Sequence, residues 1–116
     1  IYTLGAFHTN HVLDKNPRTF VTTTSPELTD QVSKLGVDIT PQQSLITGFN
    51  GLILGFAKSN DIQGIGLYGE INDPQIPQYR AVKSVLQTLE RLTYQKFGSL
   101  DELDLMADAV DNEVRK

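Results

Sequence analysis

The sequence contains no cysteine, no tryptophan and a single methionine. Without thiols, a disulfide framework, a thiolate zinc site and a cysteine nucleophile are all excluded, and the absence fits a reducing compartment. Long hydrophobic runs are also missing. The longest apolar stretch, Gly51 to Ala57, is far too short to cross a bilayer, and no charged-then-apolar signal segment opens the chain. The ten Lys and Arg residues never cluster beyond pairs, so the basic face that phosphate backbones require is lacking. A soluble, cytoplasmic protein with no nucleic-acid or membrane partner is the expectation.

What is present fits one ordinary domain. At 116 residues, 39% hydrophobic and 21% charged, the chain is long enough to bury a core without a disulfide or metal. The net charge of -4 is local: Asp101, Glu102, Asp104, Asp108, Asp111 and Glu113 face only Arg115 and Lys116 within residues 99–116, and the remainder balances eight to eight. The first residue is Ile rather than Met, and Ile1 to Leu4 already reads as a strand, so the sequence is expected to start inside a fold.

Residues 1–7 are rich in β-formers, and His8-Thr9-Asn10-His11 with Asn16-Pro17 marks a loop. Phe20 to Thr24 is a second strand that runs into Ser25-Pro26-Glu27. There Ser caps, Pro takes the first helical position and Glu meets the positive helix end. Leu28, Val32 and Leu35 form the apolar stripe of that helix, and Gly36 is its left-handed stop. Val37 and Ile39 suggest a short strand. Leu52 to Ala57, apolar nearly all round, predicts a buried helix in which Gly51 and Gly55, one turn apart, permit close approach. Gly64 to Gly69 reads as a strand whose glycines imply close packing or a bulge, with Glu70 just past its end.

Beyond Pro74 and Pro77, the spacing of Val82, Leu86, Leu89, Leu92 or Thr93, and Phe97 predicts a helix up to Gly98. Ser99-Leu100-Asp101-Glu102 is a capping box for a last helix, with Leu100, Leu103, Ala107, Val110 and Val114 on its apolar face and acids on the other. The alternation of strands and helices predicts an α/β layered fold over residues 1–116 as one domain or the C-terminal part of a larger one. Residues 1–98 form the core of that reading, and residues 99–116 are an amphipathic C-terminal helix.

Few constellations carry chemistry. Gly48, Asn50 and Gly51 open a helix and could present backbone amides to an anion, or could serve tight packing instead. The Lys-Ser or Lys-Thr of a phosphate loop does not follow, and the spacing departs from the dinucleotide fingerprint. His8 and His11 could share a metal or a proton, or be solvated loop residues, and no third ligand lies nearby in sequence. Gly69 and Glu70, with Asn72 and Asp73, stand at a strand end, where ligands gather in open parallel sheets. Glu70 is equally a carboxylate paired with a neighbouring cation. No serine sits in a nucleophile elbow. The acidic terminal helix reads as a solvated face or as a docking helix. No catalytic, metal or cofactor residue is assigned. Gly48, Asn50, Gly51, Gly69 and Glu70 are the candidate ligand or partner loops, and a nucleoside- or phosphate-binding protein is the alternative to a binding module.

The segment from Gly48-Phe-Asn-Gly-Leu-Ile-Leu-Gly through Gly64-Ile-Gly-Leu-Tyr-Gly-Glu70 to Tyr79-Arg-Ala-Val-Lys-Ser-Val-Leu86 resembles the archaeal branch of the proteasome assembly chaperone family. Ile1-Tyr-Thr-Leu-Gly5 and the step from Val21 to Leu28 resemble it as well, in order, over most of residues 1–97. The likeness is to the C-terminal half of a protein about twice this long. It implies a three-layer α/β/α domain with a mostly parallel sheet, similar to purine nucleoside phosphorylase. It also implies a non-enzymatic, cofactor-free homo-oligomer that helps proteasome core α-subunits assemble. Ala6 stands where the family often has a second glycine, and Ile71 stands where it has a threonine. Some members end in a hydrophobic-Tyr-any tail that Glu113 to Lys116 do not reproduce, so tail insertion is not expected of these residues.

Overall fold

The computed structural model describes residues 1–8, 17–36, 38–39 and 49–114. In chain order these form β1 (Tyr2–His8), β2 (Thr19–Thr23), α1 (Pro26–Ser33), β3 (Asp38–Ile39), α2 (Phe49–Ser59), β4 (Ile65–Ile71), α3 (Tyr79–Thr93) and α4 (Asp101–Val114). The start of α1 is as its sequence dictates: the Ser25 hydroxyl accepts from the Leu28 amide, and Pro26 stands at the first helical position. Gly36 closes that turn at φ +75°, where a side chain would strain the backbone.

The four strands form one sheet in the order β1-β4-β2-β3. β1 runs parallel to β4, β3 runs parallel to β2, and β2 runs antiparallel to β4. The sheet is therefore mixed, with two strands in each direction, and not the mostly parallel one expected. The β2-α1-β3 unit is parallel, as strand-helix-strand order requires. It docks head to tail on β4, a pairing between non-consecutive strands that sequence order does not encode.

Register assigns the faces. Gly5, Tyr68 and Phe20 are aligned across three strands, as are Leu4, Leu67 and Val21 on the opposite face. On the second face Val21, Leu28, Val32, Ile65, Leu67 and Val85 make the core, with Ile39, Leu89 and Leu92 packed against it. Each fully buried aliphatic side chain of this kind contributes about 1.5–3 kcal/mol. α1 and α3 thus cover one face, and α2 covers the other. A Cβ on Gly66 would lie 2.9 Å from Leu54 of α2, and one on Gly69 would lie 3.0 Å from Val85 of α3. The glycines of β4 serve close packing, as their sequence implied.

Several expectations are corrected here. α2 is not buried all round: Leu54 and Ala57 face the sheet, while Phe49, Leu52 and Phe56 are 77%, 73% and 65% exposed. Packed on one side only, a helix buries one stripe whatever its overall hydrophobicity. Gly55 meets nothing within 4 Å and is no point of close approach. In α3 the fully buried residues are Ala81, Val85 and Thr88; of the predicted stripe, Leu89 and Leu92 pack against the core, while Val82 is exposed. That helix ends at Tyr94 in the left-handed region, which leaves Phe97 outside it. Glu70 lies within β4 rather than past its end.

The acidic face of α4 is not simply solvated. Asp104, Asp108 and Asp111 share one stripe, which turns toward α3. There Arg80 binds Asp108 and Asp111 at 2.9 Å each, and Lys83 binds Asp104 at 2.6 Å. Ala107 is buried and Leu103 and Val110 are half-buried, so the predicted apolar stripe also points inward. The capping box expected at Ser99 is not what forms: the Ser99 hydroxyl accepts from the Asp101 amide two residues on, in a turn just ahead of α4, and not from the Glu102 amide.

Candidate functional site

Glu70 is 1% exposed, a buried carboxylate on the face that carries α2. Burying a charge is costly unless it is paired and hydrogen-bonded. Arg18, immediately before β2, meets that requirement. Its Nη2 donates to Glu70 Oε2 at 2.7 Å, and its Nε and main-chain N both donate to Oε1 at 3.2 Å. Hydrogen bonding to Glu70 holds the Arg18 guanidinium above its ordinary pKa, with burial opposing. The guanidinium also lies 4.9 Å from the centre of the Phe20 ring, which packs on Phe7 at 5.3 Å. Glu70 is thus engaged by a cation, the second of the two roles its sequence allowed. Arg18 carried no motif. The signal that points to it is the demand of a carboxylate inside an apolar strand for a cation on a neighbouring strand.

The other candidate residues do not converge on Glu70. Gly69 faces the opposite side of the sheet, beneath Ala81 and Val85. Asn50, in the first turn of α2, donates through Nδ2 to the Leu4 carbonyl at 2.7 Å. Gly51 is a half-buried residue of α2, and Gly48 lies outside the described residues. His11 also lies outside them, and the exposed His8 pairs its Nε2 with the Asn72 carbonyl at 2.9 Å. Among the described residues, no group of three or more His, Cys, Asp or Glu side chains could hold a metal. Asp73 opens a turn, its carboxylate accepting from the Gln75 amide.

Next to Asn50 the sheet holds two hydroxyls, Thr3 at 6% exposure and Tyr68 at 5%, on adjacent strands. Among the described residues neither has a hydrogen-bond partner of good geometry. Burial pushes the Tyr68 phenol above its ordinary pKa, and the adjacent Thr3 hydroxyl offsets part of the rise.

On the other face, a groove of about 550 Å³ runs between β1 and α3. Leu4, Ala6 and Gly69 line its sheet side, and Ala81, Val82 and Leu86 its helix side. None of its lining residues is charged, and Gln78 is the one polar side chain among them. A phosphate or carboxylate would find no counter-charge there. The groove suits apolar side chains.

The family model of the PAC2 family matches residues 1–116, and the chain belongs to that family. Its fold is similar to that of Pyrococcus furiosus PbaB, described as an archaeal proteasome activator, at 26% identity and a TM-score of 0.85. That match covers 98% of this chain and 48% of PbaB. Pyrococcus furiosus PbaA, described as an archaeal homolog of proteasome-assembly chaperone, has the same fold at 23% identity and a TM-score of 0.86, over 99% of this chain and 47% of its own. A Thermoplasma acidophilum protein of unknown function shares it at 18% identity and a TM-score of 0.71, over 96% of this chain and 45% of that protein. A search among curated proteins finds no match. The chain spans about half the length of the solved structures it matches. The resemblance to archaeal proteasome assembly chaperones drawn from the sequence is borne out. Among the described residues no helix is long and apolar enough to cross a membrane.

Proposed function

We propose that this chain is a non-enzymatic binding module of an archaeal-type proteasome assembly chaperone, acting in the cytoplasm on core α-subunits through surface complementarity. The observation that carries the reading is the match of the PAC2 family over residues 1–116, with PbaB and PbaA sharing the fold. Two features of the chain support it. Glu70, the one buried carboxylate among the described residues, is held by Arg18, and the groove on the opposite face of the sheet presents apolar surface rather than convergent polar groups. Helices on both faces of the sheet support a three-layer α/β/α domain of the purine nucleoside phosphorylase kind. In this reading residues 1–98 are its core and α4 is an appended amphipathic helix, tied down by Arg80 and Lys83. The solvent-facing ridge of Phe49, Leu52 and Phe56 supports self-association through α2.

The test is a pull-down of the complete polypeptide against proteasome α-subunits of the same organism, with light scattering on each component and on the mixture. Co-elution as a complex of defined mass is the expected result. Clean separation at high concentration sinks the chaperone reading, and stabilisation by a nucleoside or inorganic phosphate in a thermal shift then favours a ligand-binding protein.

A further inference from the structure

α2 packs on the sheet along one side, and among the described residues nothing covers the other. Leu54 and Ala57 are its buried residues, and both stand over the start of β4, where a Cβ on Gly64 would meet each of them. The turn of the helix carries Phe49, Leu52 and Phe56 round to the side that points away from the sheet, at 77%, 73% and 65% exposure. Their spacing of three and then four residues makes one narrow seam, the pattern by which one helix packs along another. The seam is neutral. α2 holds no Asp, Glu or Arg, and Lys58 in its last turn is its one charged residue. An element added beside α2 in its own layer would meet the flanks of the helix and not this ridge, so the cover comes from outside the layer. Gly55 lies about a quarter-turn off the seam and stays out of the contact.

We infer that this ridge is the seam of a two-fold contact between copies of the chain. The two α2 helices run antiparallel, with Leu52 on the axis facing Leu52 of the partner subunit and Phe49 facing Phe56 of the partner subunit. Three observations select a second copy as the occupant. Under a two-fold axis each group meets its own kind, which a neutral ridge tolerates and the charged surface of a chain at net -4 opposes elsewhere. The seam is also its own complement, since it runs aromatic, leucine, aromatic in both directions, and the antiparallel arrangement sets opposite helix ends side by side. At these exposures the two phenyl rings bring roughly 200–350 Å² per copy, against about 800 Å² per partner in a standard interface, so they anchor the contact and the flanking surface completes it. The contact gives a geometry to self-association through α2 and rests on that reading, independently of any proteasome partner.

The test uses the complete polypeptide that carries residues 1–116, with molar mass read by sedimentation from low to high micromolar concentration. Leu52→Lys and Leu52→Glu are each expected to weaken self-association by about a hundredfold or more, because the axis then sets two like charges together. Mixing the two variants in equal amounts is expected to restore the parent's mass, each lysine meeting a glutamate. Recovery of that kind belongs only to a residue that meets its own counterpart. An unchanged mass for either variant alone overturns the inference and leaves self-association to another surface, and a mixture that stays dissociated overturns it as well. A parent that is monomeric throughout the range removes the self-association reading itself, and the seam with it. If a variant does not fold, contacts between the Leu52 methyl groups of labelled and unlabelled parent chains are the expected sign, and their absence overturns the seam.

Discussion

Arg18 and Glu70 hold each other through both backbone and side chain: the Glu70 amide donates to the Arg18 carbonyl at 2.8 Å, and the guanidinium grips the carboxylate on the same pair of strands. The consequence is asymmetric. Removing the cation takes a charged, two-point partner from a buried carboxylate, whereas removing both charges together leaves neutral groups at both positions. Arg18→Met is therefore expected to lower the denaturant midpoint more than the double variant of Arg18→Met with Glu70→Gln. A double variant as damaged as the single would show that the ion pair is incidental to the fold.

Steric room separates the glycines. A Cβ on Gly69 would come within 3.1 Å of the Ala81 carbonyl and 3.0 Å of Val85, and backbone cannot yield as a side-chain tip can. Gly69→Val is expected to cost about 1–3 kcal/mol by lifting α3 from the sheet. Gly55 sits in an exposed turn of α2 with nothing within 4 Å, so Gly55→Ala should stabilise by about 0.5–1 kcal/mol. Chemical denaturation of the two variants checks both signs, and a loss at Gly55 would mean that this surface is covered by something in solution.

Local signals were the legible part of this molecule. Ser25-Pro26 and Gly36 bound α1 in the structure as in the sequence, because capping and left-handed turns depend on a few adjacent residues. The family resemblance was legible for a related reason, since it rests on ordered local motifs from Gly48 to Leu86. Direction and face were not. The antiparallel docking of β2 on β4 depends on residues far apart in the chain, and at the start of α3 Val85 is buried where Val82 is exposed, two residues equally apolar in sequence. Glu70 was legible as a residue of interest, but Arg18, 52 positions away, was not, since ion pairing across strands leaves no periodicity. The acids of α4 looked like a solvated face because their partners, Arg80 and Lys83, lie on another helix.

That helix pair sets the third prediction. Hydrogen bonding to Asp111 raises the Arg80 pKa above its ordinary value, and two aspartates share the one guanidinium. Such partly exposed pairs are worth roughly 0.2–1 kcal/mol each and are screened by salt. Arg80→Gln is expected to loosen α4 from α3 without disturbing the sheet. Amide exchange should then quicken across residues 101–114 and hold steady in β4, and raising the salt concentration should bring the unsubstituted protein toward the same pattern. Uniform acceleration throughout the chain would instead make α4 part of the cooperative core.

The buried phenol of Tyr68 gives the last prediction, and its sign follows from burial. Because burial raises its pKa in the folded state, the unfolded chain gives up this proton at a lower pH than the folded one. Stability is therefore unaffected well below the ordinary tyrosine value of 10.0 and falls as pH rises beyond it, at up to about 1.4 kcal/mol per pH unit for one proton. At neutral pH the hydroxyl has no well-formed hydrogen bond among the described residues, so Tyr68→Phe removes an unsatisfied group and keeps the ring that Gly66 and Gly5 accommodate. The variant is expected to be as stable as the parent at pH 7 or slightly more so, and to gain on it steadily between pH 10 and 11. Denaturant midpoints of the two proteins across that range provide the check. A difference that stays flat to pH 11 would mean that water reaches the phenol between β1 and α2, and that this part of the sheet opens in solution.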